Sequence, residues 1–292
     1  MLNEIFRAAD GMRAVAASGG SDILRGRRML VLFYEPSTRT LVSFQSAMEL
    51  LGGRVTTAEH GGQFSSAIKG ESLADTIRVV NGYHYDVIVL RHYQEGAAAQ
   101  AAELSTAPVI NAGDGTGQHP TQSLLDLYTI EQELGGIDGV SVALVGDLAR
   151  GRTVRSLAYL LAKFRVGTLY FAAGDGMQAG KDILDYLTRH DVKYELTSSL
   201  AGVAGKVDVV YVTRLQRERL GDGGARLEAA YRANLVTPEI LCLMKHRSII
   251  LHPLPRVNEI SPEVDADPRA AYFRQAENGL YIRMVLLRML LT

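Results

Sequence analysis

Short apolar, β-branched runs alternate with amphipathic stretches along most of the chain. Runs at 29–33, 87–90, 109–110, 140–145, 168–171, 207–212 and 248–251 predict buried strands. Between them, apolar residues recur at helical spacing: Phe44, Met48 and Leu51, then Leu73, Ile77 and Val80, then Leu124, Leu127 and Tyr128 followed by Glu131. Strand–helix alternation of this kind predicts an α/β fold of doubly wound, mainly parallel sheets flanked by helices. The stretch Glu133-Leu134-Gly135-Gly136-Ile137-Asp138-Gly139 ends a long helical pattern with glycines and predicts a domain hinge. A second glycine-rich segment, 221–224, reads as a mobile loop tip.

The polar residues that follow the apolar runs change the picture from fold to function. Arg91-His92 follows Leu90, Gly146-Asp147 follows Val145, Thr213-Arg214 follows Val212 and His252-Pro253 follows Leu251. Ligands of open α/β sheets bind beyond the carboxyl ends of the strands, so these groups are expected to converge there. The densest cluster is Tyr34-Glu35-Pro36-Ser37-Thr38-Arg39-Thr40, at the turn from the first run into a helix. The first N–H groups of a helix lack internal partners and carry partial positive charge. Hydroxyls and a guanidinium placed there make a pocket for a phosphate-like anion. Capping alone would ask for one hydroxyl and no arginine.

Composition narrows the class. The 292 residues suffice for two compact domains, and 47% are apolar, so a large core can form. A formal net charge of -1 argues against a nucleic-acid partner, so each basic cluster is local. Cys242 is the only cysteine, which excludes a disulfide framework or a cysteine zinc site and fits a reducing cytoplasm. No apolar run approaches the length of a membrane span and no secretory signal pattern is present.

Two familiar nucleotide motifs fail on spacing. In Gly113-Asp114-Gly115-Thr116-Gly117 the third glycine of a dinucleotide fingerprint would fall on Gln118. Lys69-Gly70 reverses the order of a P-loop, so neither a nicotinamide cofactor nor a nucleoside triphosphate is expected. His119-Pro120-Thr121-Gln122 opens a helix, and His119 and Gln122 are expected to share a face from which a carbonyl could be polarised. Gly146-Asp147-Leu148-Ala149-Arg150-Gly151-Arg152-Thr153 is a second anion-friendly helix start. The prolines of His252-Pro253-Leu254-Pro255-Arg256 fix a backbone able to present carbonyl oxygens to an amine or amide.

Taken with Lys69-Gly70-Glu71, Gly151-Arg152-Thr153, Thr213-Arg214-Leu215-Gln216 and Asp267-Pro268-Arg269-Ala270-Ala271-Tyr272-Phe273, these segments resemble the aspartate/ornithine carbamoyltransferase family over almost the whole chain. Relatives acting on ornithine carry His-Cys-Leu-Pro and a Ser-Met-Gly loop; the sequence here has His252-Pro253-Leu254-Pro255 and no Ser-Met-Gly, so the aspartate branch is favoured. Departures from the family pattern fall at Leu41, Gln45, Tyr93 and Ala149.

The resemblance implies two doubly wound domains joined by interdomain helices. Residues 1–133 would bind carbamoyl phosphate, 134–274 would bind aspartate, and a C-terminal helix at 275–292 would pack back on the first domain. It implies transfer of the carbamoyl group of carbamoyl phosphate to the amino group of L-aspartate, in pyrimidine biosynthesis, without metal or organic cofactor. Carried over, Ser37, Thr38, Arg39 and Thr40 hold the phosphate. Thr40, Arg91 and His119 surround the carbamoyl oxygen, Gln122 meets the amide, and the backbone of Leu254 and Pro255 also touches the carbamoyl group. Arg152, Arg214 and Gln216 resemble the aspartate contacts. Lys69, with Ser65 or Ser66, resembles the residues that a neighbouring subunit lends to the site, which implies a homotrimer with shared active sites. Two rivals are a carbamoyltransferase for another amine such as ornithine, and a non-catalytic homologue that only binds phosphate.

Overall fold

A computed structural model describes residues 1–59, 70–215, 231–232 and 234–292. The chain divides into two compact units, residues 1–121 with 277–292, and residues 122–276. The expected loop tip at 221–224 lies outside the described residues.

In the first unit, helix α1 (Leu2–Ala17) precedes β1 (Arg28–Phe33), α2 (Thr38–Leu50), β2 (Arg54–Glu59), α3 (Leu73–Asn81), β3 (Val87–His92), α4 (Ala97–Leu104) and β4 (Val109–Asp114). The strand order is β2-β1-β3-β4, and every pairing is parallel. Met29 to Phe33 are buried, as are Val87 to Leu90, because both faces of the sheet are covered. One face packs Leu30, Leu32, Ile88 and Leu90 on Ile77, Ala98 and Ala101 of α3 and α4. Phe44 and Met48 of α2 are fully buried, as their spacing predicts.

The second unit takes up α5 (Pro120–Leu134) from its third residue and continues through β5 (Val142–Val145), α6 (Arg152–Leu161), β6 (Leu169–Ala172), α7 (Lys181–Arg189), β7 (Tyr194–Thr197), β8 (Val209–Val212), α8 (Pro238–Leu243) and β9 (Ile249–Leu251) to the first five residues of α9 (Tyr272–Leu291), whose remainder belongs to the first unit. The order here is β7-β6-β5-β8-β9, again parallel throughout. Ala143, Val145, Val210, Val212 and Ile250 share a core with Leu200, Val203, Val236, Ile240 and Tyr272. The boundaries between the units fall inside α5 and α9. At the glycine-rich stretch, Gly135 and Gly139 take positive φ of 81° and 80°, and Gly135 closes α5 on Glu131 O at 2.8 Å.

Several expected boundaries shift for identifiable reasons. Pairing in β3 continues through Arg91 opposite Phe33 and His92 opposite Asp114, so both lie in the strand rather than after it. The strand expected from residue 140 starts at Val142, because Val140 N–H turns back to Ile137 O. The strand expected from residue 207 starts at Val209: Asp208 takes the Ser141 N–H on its carboxylate at 2.8 Å and ties down the entry to the sheet. Strands β2 and β7 are additional to the seven expected. Both are edge strands with largely solvent-facing sequences, Arg-Val-Thr-Thr-Ala-Glu and Tyr-Glu-Leu-Thr, and have no apolar run to announce them.

Each sheet has one topological switch point. In the first, the chain runs from β1 to β2 on one side and returns past β1 to β3 on the other, so the reversal lies between β1 and β3; in the second it lies between β5 and β8. A crevice opens at the carboxyl ends of such a strand pair. The segments that follow β1 and β5, and those that follow or end β3 and β8, therefore occupy the binding end of each unit.

Candidate active site

In the first unit, β1 ends at Phe33 and the chain turns through Ser37 into α2. Ser37 is the N-cap in extended conformation, yet its hydroxyl makes no cap bond to the α2 backbone and donates instead to Thr40 Oγ1 at 3.0 Å. Ser37 thus leaves the first-turn N–H groups of α2 without a side-chain cap, in a turn that also carries the hydroxyls of Ser37 and Thr40 and the exposed Arg39 side chain. Thr40 is buried, with 6% of its surface accessible, whereas Thr38 is exposed.

Arg91 enters from the neighbouring strand. Its Nη1 donates to the Ala112 carbonyl of β4 at 3.1 Å, and its Nη2 pairs with Glu35 Oε2 at 2.9 Å. The β1–α2 turn is further joined to β3 by Tyr34 N–H to Arg91 O at 2.8 Å. His119 is buried and immediately precedes α5, which begins at Pro120. Proline at the first position fits because its missing N–H would have no helical partner there. Asp114 shapes the loop that leads to His119, accepting from Gly96 N at 3.0 Å and Gln118 N at 2.9 Å. Gly115 must lack a side chain: its φ is +53° and a Cβ would lie 2.5 Å from Tyr93 O.

The second unit repeats the plan. After β5 the chain passes Gly146, where a Cβ would meet Thr213 O at 2.3 Å, and reaches Arg152 as the first residue of α6. Arg152 is buried at 8% accessibility at that helix start, and Asp147 is fully buried with Arg150 beside it at 3.3 Å. From the adjacent strand β8, Thr213 and Arg214 follow Val212 as expected. Tyr231 donates its hydroxyl to Thr213 O at 2.9 Å and so braces this turn. Burial, reinforced by the charge of Glu259, pushes the Tyr231 phenol far above its ordinary range, so it stays a donor. Arg214, Leu215, Tyr231, Arg232, Val257, Asn258 and Glu259 line a small open cleft within this unit.

The loop after β9 is built around His252. Its Nδ1 accepts the Leu254 N–H at 2.7 Å, which leaves the ring proton on Nε2 to donate to Glu259 Oε1 at 2.8 Å. Glu259 Oε2 accepts from Val257 N at 3.1 Å and Asn258 N at 3.0 Å. Burial works to raise the Glu259 pKa, but the bonds from His252 and the backbone outweigh it and hold the carboxyl below its usual range. Leu254 sits at φ 53°, an uncommon conformation for a residue with a side chain, and precedes Pro255.

Of the candidate residues, Ser37, Thr38, Arg39, Thr40, Arg91 and His119 thus belong to the first unit and cluster at the carboxyl end of its sheet. Gln122, Arg152, Arg214, Leu254 and Pro255 belong to the second. Lys69, Gln216, Ser65 and Ser66 lie outside the described residues. Sequence reasoning missed Glu35, which holds Arg91, Glu259, which holds His252, and Asp126, which accepts from Gln122 Nε2 at 2.8 Å. Only the last had a local signal, the four-residue helical spacing.

Two parallel α/β sheets, each with arginines and a helix start at its switch point, are an arrangement suited to small multiply charged anions. The chain belongs to the aspartate/ornithine carbamoyltransferase family. Residues 1–132 match the family's carbamoyl-P binding domain, and residues 138–290 its Asp/Orn binding domain. The chloroplastic aspartate carbamoyltransferase of Arabidopsis thaliana is 57% identical over 292 residues, covering 100% of this chain and 75% of that protein. The aspartate carbamoyltransferase catalytic subunit of Methanothrix thermoacetophila is 47% identical, covering 99% of this chain and 94% of the relative. The crystal structure of aspartate transcarbamoylase from Trypanosoma cruzi in complex with carbamoyl aspartate and phosphate superposes with a TM-score of 0.93 at 42% identity, over 100% of this chain and 92% of that one.

Proposed function

We infer that this chain is an aspartate carbamoyltransferase, which makes N-carbamoyl-L-aspartate and phosphate from carbamoyl phosphate and L-aspartate, a step of pyrimidine biosynthesis. The observation that carries this is similarity to aspartate carbamoyltransferases over the whole of this chain, 57% identity in one case, together with an arginine-bearing helix start at the switch point of each sheet.

The physical chemistry of the reaction suits the residues. The neutral amine of aspartate attacks the carbamoyl carbon, and negative charge grows on the carbonyl oxygen. Thr40, Arg91 and His119 are the groups assigned to stabilise that oxygen as donors. The carbon–oxygen bond to phosphate then breaks, its electron pair leaves with phosphate, and the amine proton passes to the departing phosphate. Ser37, Thr38, Arg39, Thr40 and the α2 start take the phosphate charge. Gln122 and the backbone of Leu254 and Pro255 are assigned to the carbamoyl amine. Arg152, Arg214 and Gln216 are assigned to the two carboxylates of aspartate, for which a guanidinium offers a bidentate match. Such a direct transfer needs no covalent enzyme intermediate, and positioning of both substrates supplies much of the rate.

The active form is proposed to be a homotrimer in which Lys69, with Ser65 or Ser66, reaches a neighbouring subunit's site. The cytoplasm is the proposed compartment on the strength of the single cysteine, while the Arabidopsis relative is named as chloroplastic. Among the described residues, no helix is long and apolar enough to cross a membrane.

An acceptor panel tests the reading. Purified chain supplied with carbamoyl phosphate should carbamoylate L-aspartate and leave L-ornithine untouched. Preference for ornithine would move the chain to the other branch of the family, and no transfer to any amino acid would favour a binding protein.

A further inference from the structure

Gln122, Asp126, Tyr211, Gln275 and His252 form one hydrogen-bonded chain inside the second unit. Asp126 is fully buried on α5. Its Oδ1 accepts from Gln122 Nε2 at 2.8 Å and from Gln275 Nε2 at 2.6 Å, and its Oδ2 accepts from the Tyr211 hydroxyl at 2.9 Å. Gln275 Oε1 in turn accepts the backbone N–H of His252 at 2.8 Å. His252 then anchors Leu254 through its Nδ1.

The chemistry of a carboxylate gives this arrangement a direction. An ionised carboxylate accepts and cannot donate, so the amide group of each glutamine must turn its NH₂ toward Asp126. The carbonyl oxygen of Gln122 is thereby aimed away from the carboxylate. That of Gln275 is aimed at the loop that holds Leu254 and Pro255. The groups assigned above to the carbamoyl amine, Gln122 and the carbonyls of residues 254–255, have to accept hydrogen bonds, because a carbamoyl NH₂ only donates to them.

We propose that Asp126 is a positioning residue that fixes the polarity of the acceptors facing the carbamoyl NH₂. It does so by orienting the Gln122 amide directly and the 252–255 loop through Gln275. Asp126 itself touches no reacting atom. The inference rests on the assignment of Gln122 and the 254–255 backbone to the carbamoyl group, and it adds a prediction that packing alone does not make. Loss of the carboxylate should penalise ligands that carry the carbamoyl NH₂ and spare a ligand that carries only the phosphate.

The experiment compares the Asp126→Asn and Gln122→Ala enzymes with the parent. It measures kcat/KM for carbamoyl phosphate at saturating aspartate, and the inhibition constant of inorganic phosphate against carbamoyl phosphate. Asparagine keeps the size of the side chain but replaces two charged acceptors by one neutral oxygen and a donor. The expected result for Asp126→Asn is a fall of about tenfold in kcat/KM, the scale of one charge-assisted hydrogen bond, with phosphate inhibition changed by less than about twofold. Equal weakening of carbamoyl phosphate and phosphate would reduce Asp126 to a general structural role and overturn the proposal. An unchanged kcat/KM in Asp126→Asn, with a loss in Gln122→Ala, would overturn it while leaving the site assignment standing. An unchanged kcat/KM in Gln122→Ala would remove the assignment and the proposal together. Should the asparagine enzyme not fold, Gln275→Leu severs the loop arm alone, and the same two measurements decide.

Discussion

Arg91 Nη2 lies 2.9 Å from Glu35 Oε2, while Nη1 of the same guanidinium donates to the Ala112 carbonyl. One arginine is therefore held from the β1–α2 turn and from β4 at once. A donor held this way needs little reorganisation when charge develops on a carbonyl oxygen. Glu35→Ala should lower kcat/KM for carbamoyl phosphate about tenfold by loosening Arg91. Because Glu35 is partly exposed, global stability should change by no more than about 1 kcal/mol. Kinetics and urea unfolding on the same preparation check both halves, and a large stability loss with normal kinetics would refute the orienting role.

Arg39 stands beside the hydroxyls and N–H groups at the start of α2. Arg39→Ala should cut turnover by roughly 10²–10³, or ~3–4 kcal/mol, as expected for one preorganised transition-state donor. Retention of near-normal kcat would remove Arg39 from the phosphate site.

Arg214 lines a cleft with Tyr231, Arg232 and Glu259 in the second unit. Arg214→Ala should raise KM for aspartate strongly and leave carbamoyl phosphate binding nearly intact. Isothermal titration with carbamoyl phosphate alone, beside aspartate saturation curves, separates the two. Equal loss for both ligands would show that Arg214 is not an aspartate contact.

The His252–Glu259 pair predicts a pH signature. The folded-state pKa of Glu259 is depressed, so its stabilisation is complete above the unfolded value, about pH 4.3, and disappears as pH falls through the lower folded value. Glu259→Gln should therefore lower the urea midpoint at pH 7, and the gap from the parent should close between about pH 5 and pH 3. A gap that widens toward acid would contradict the sign of this linkage.

The proposed sharing of sites between the subunits of a homotrimer has its own test. Mixed trimers of Lys69→Ala and Arg39→Ala chains should regain activity through sites that draw one intact residue from each parent. Proven hybrids without recovery would remove Lys69 from a neighbour's site.

The sequence revealed elements that bury an apolar run and concealed those that do not. β1, β3, β5 and β8 were visible because a doubly covered parallel strand is apolar on both faces. β2 and β7 were not, since an edge strand such as Arg54–Glu59 pairs on one side only and alternates polar residues into solvent. The strand-to-helix turn at Ser37–Thr40 was legible because an apolar run gives way there to hydroxyls and then to helical spacing. The supporting groups were not. Glu35 lies within the same turn, but its partner is on another strand. Asp126 is 85 residues from Tyr211 and 149 from Gln275, so only the folded chain brings them together. The roles of Lys69 and Gln216 came from family resemblance, not from spacing.

The most direct test follows the carbon itself. Carbamoyl phosphate labelled with ¹³C at its carbonyl is mixed with L-aspartate and the purified chain, and the reaction is read by NMR. The label should move into a ureido carbon bonded to the aspartate nitrogen, with one phosphate released for each product formed. Phosphate release with the label appearing only in hydrolysis products, and none on aspartate, would contradict carbamoyl transfer as the work of this protein.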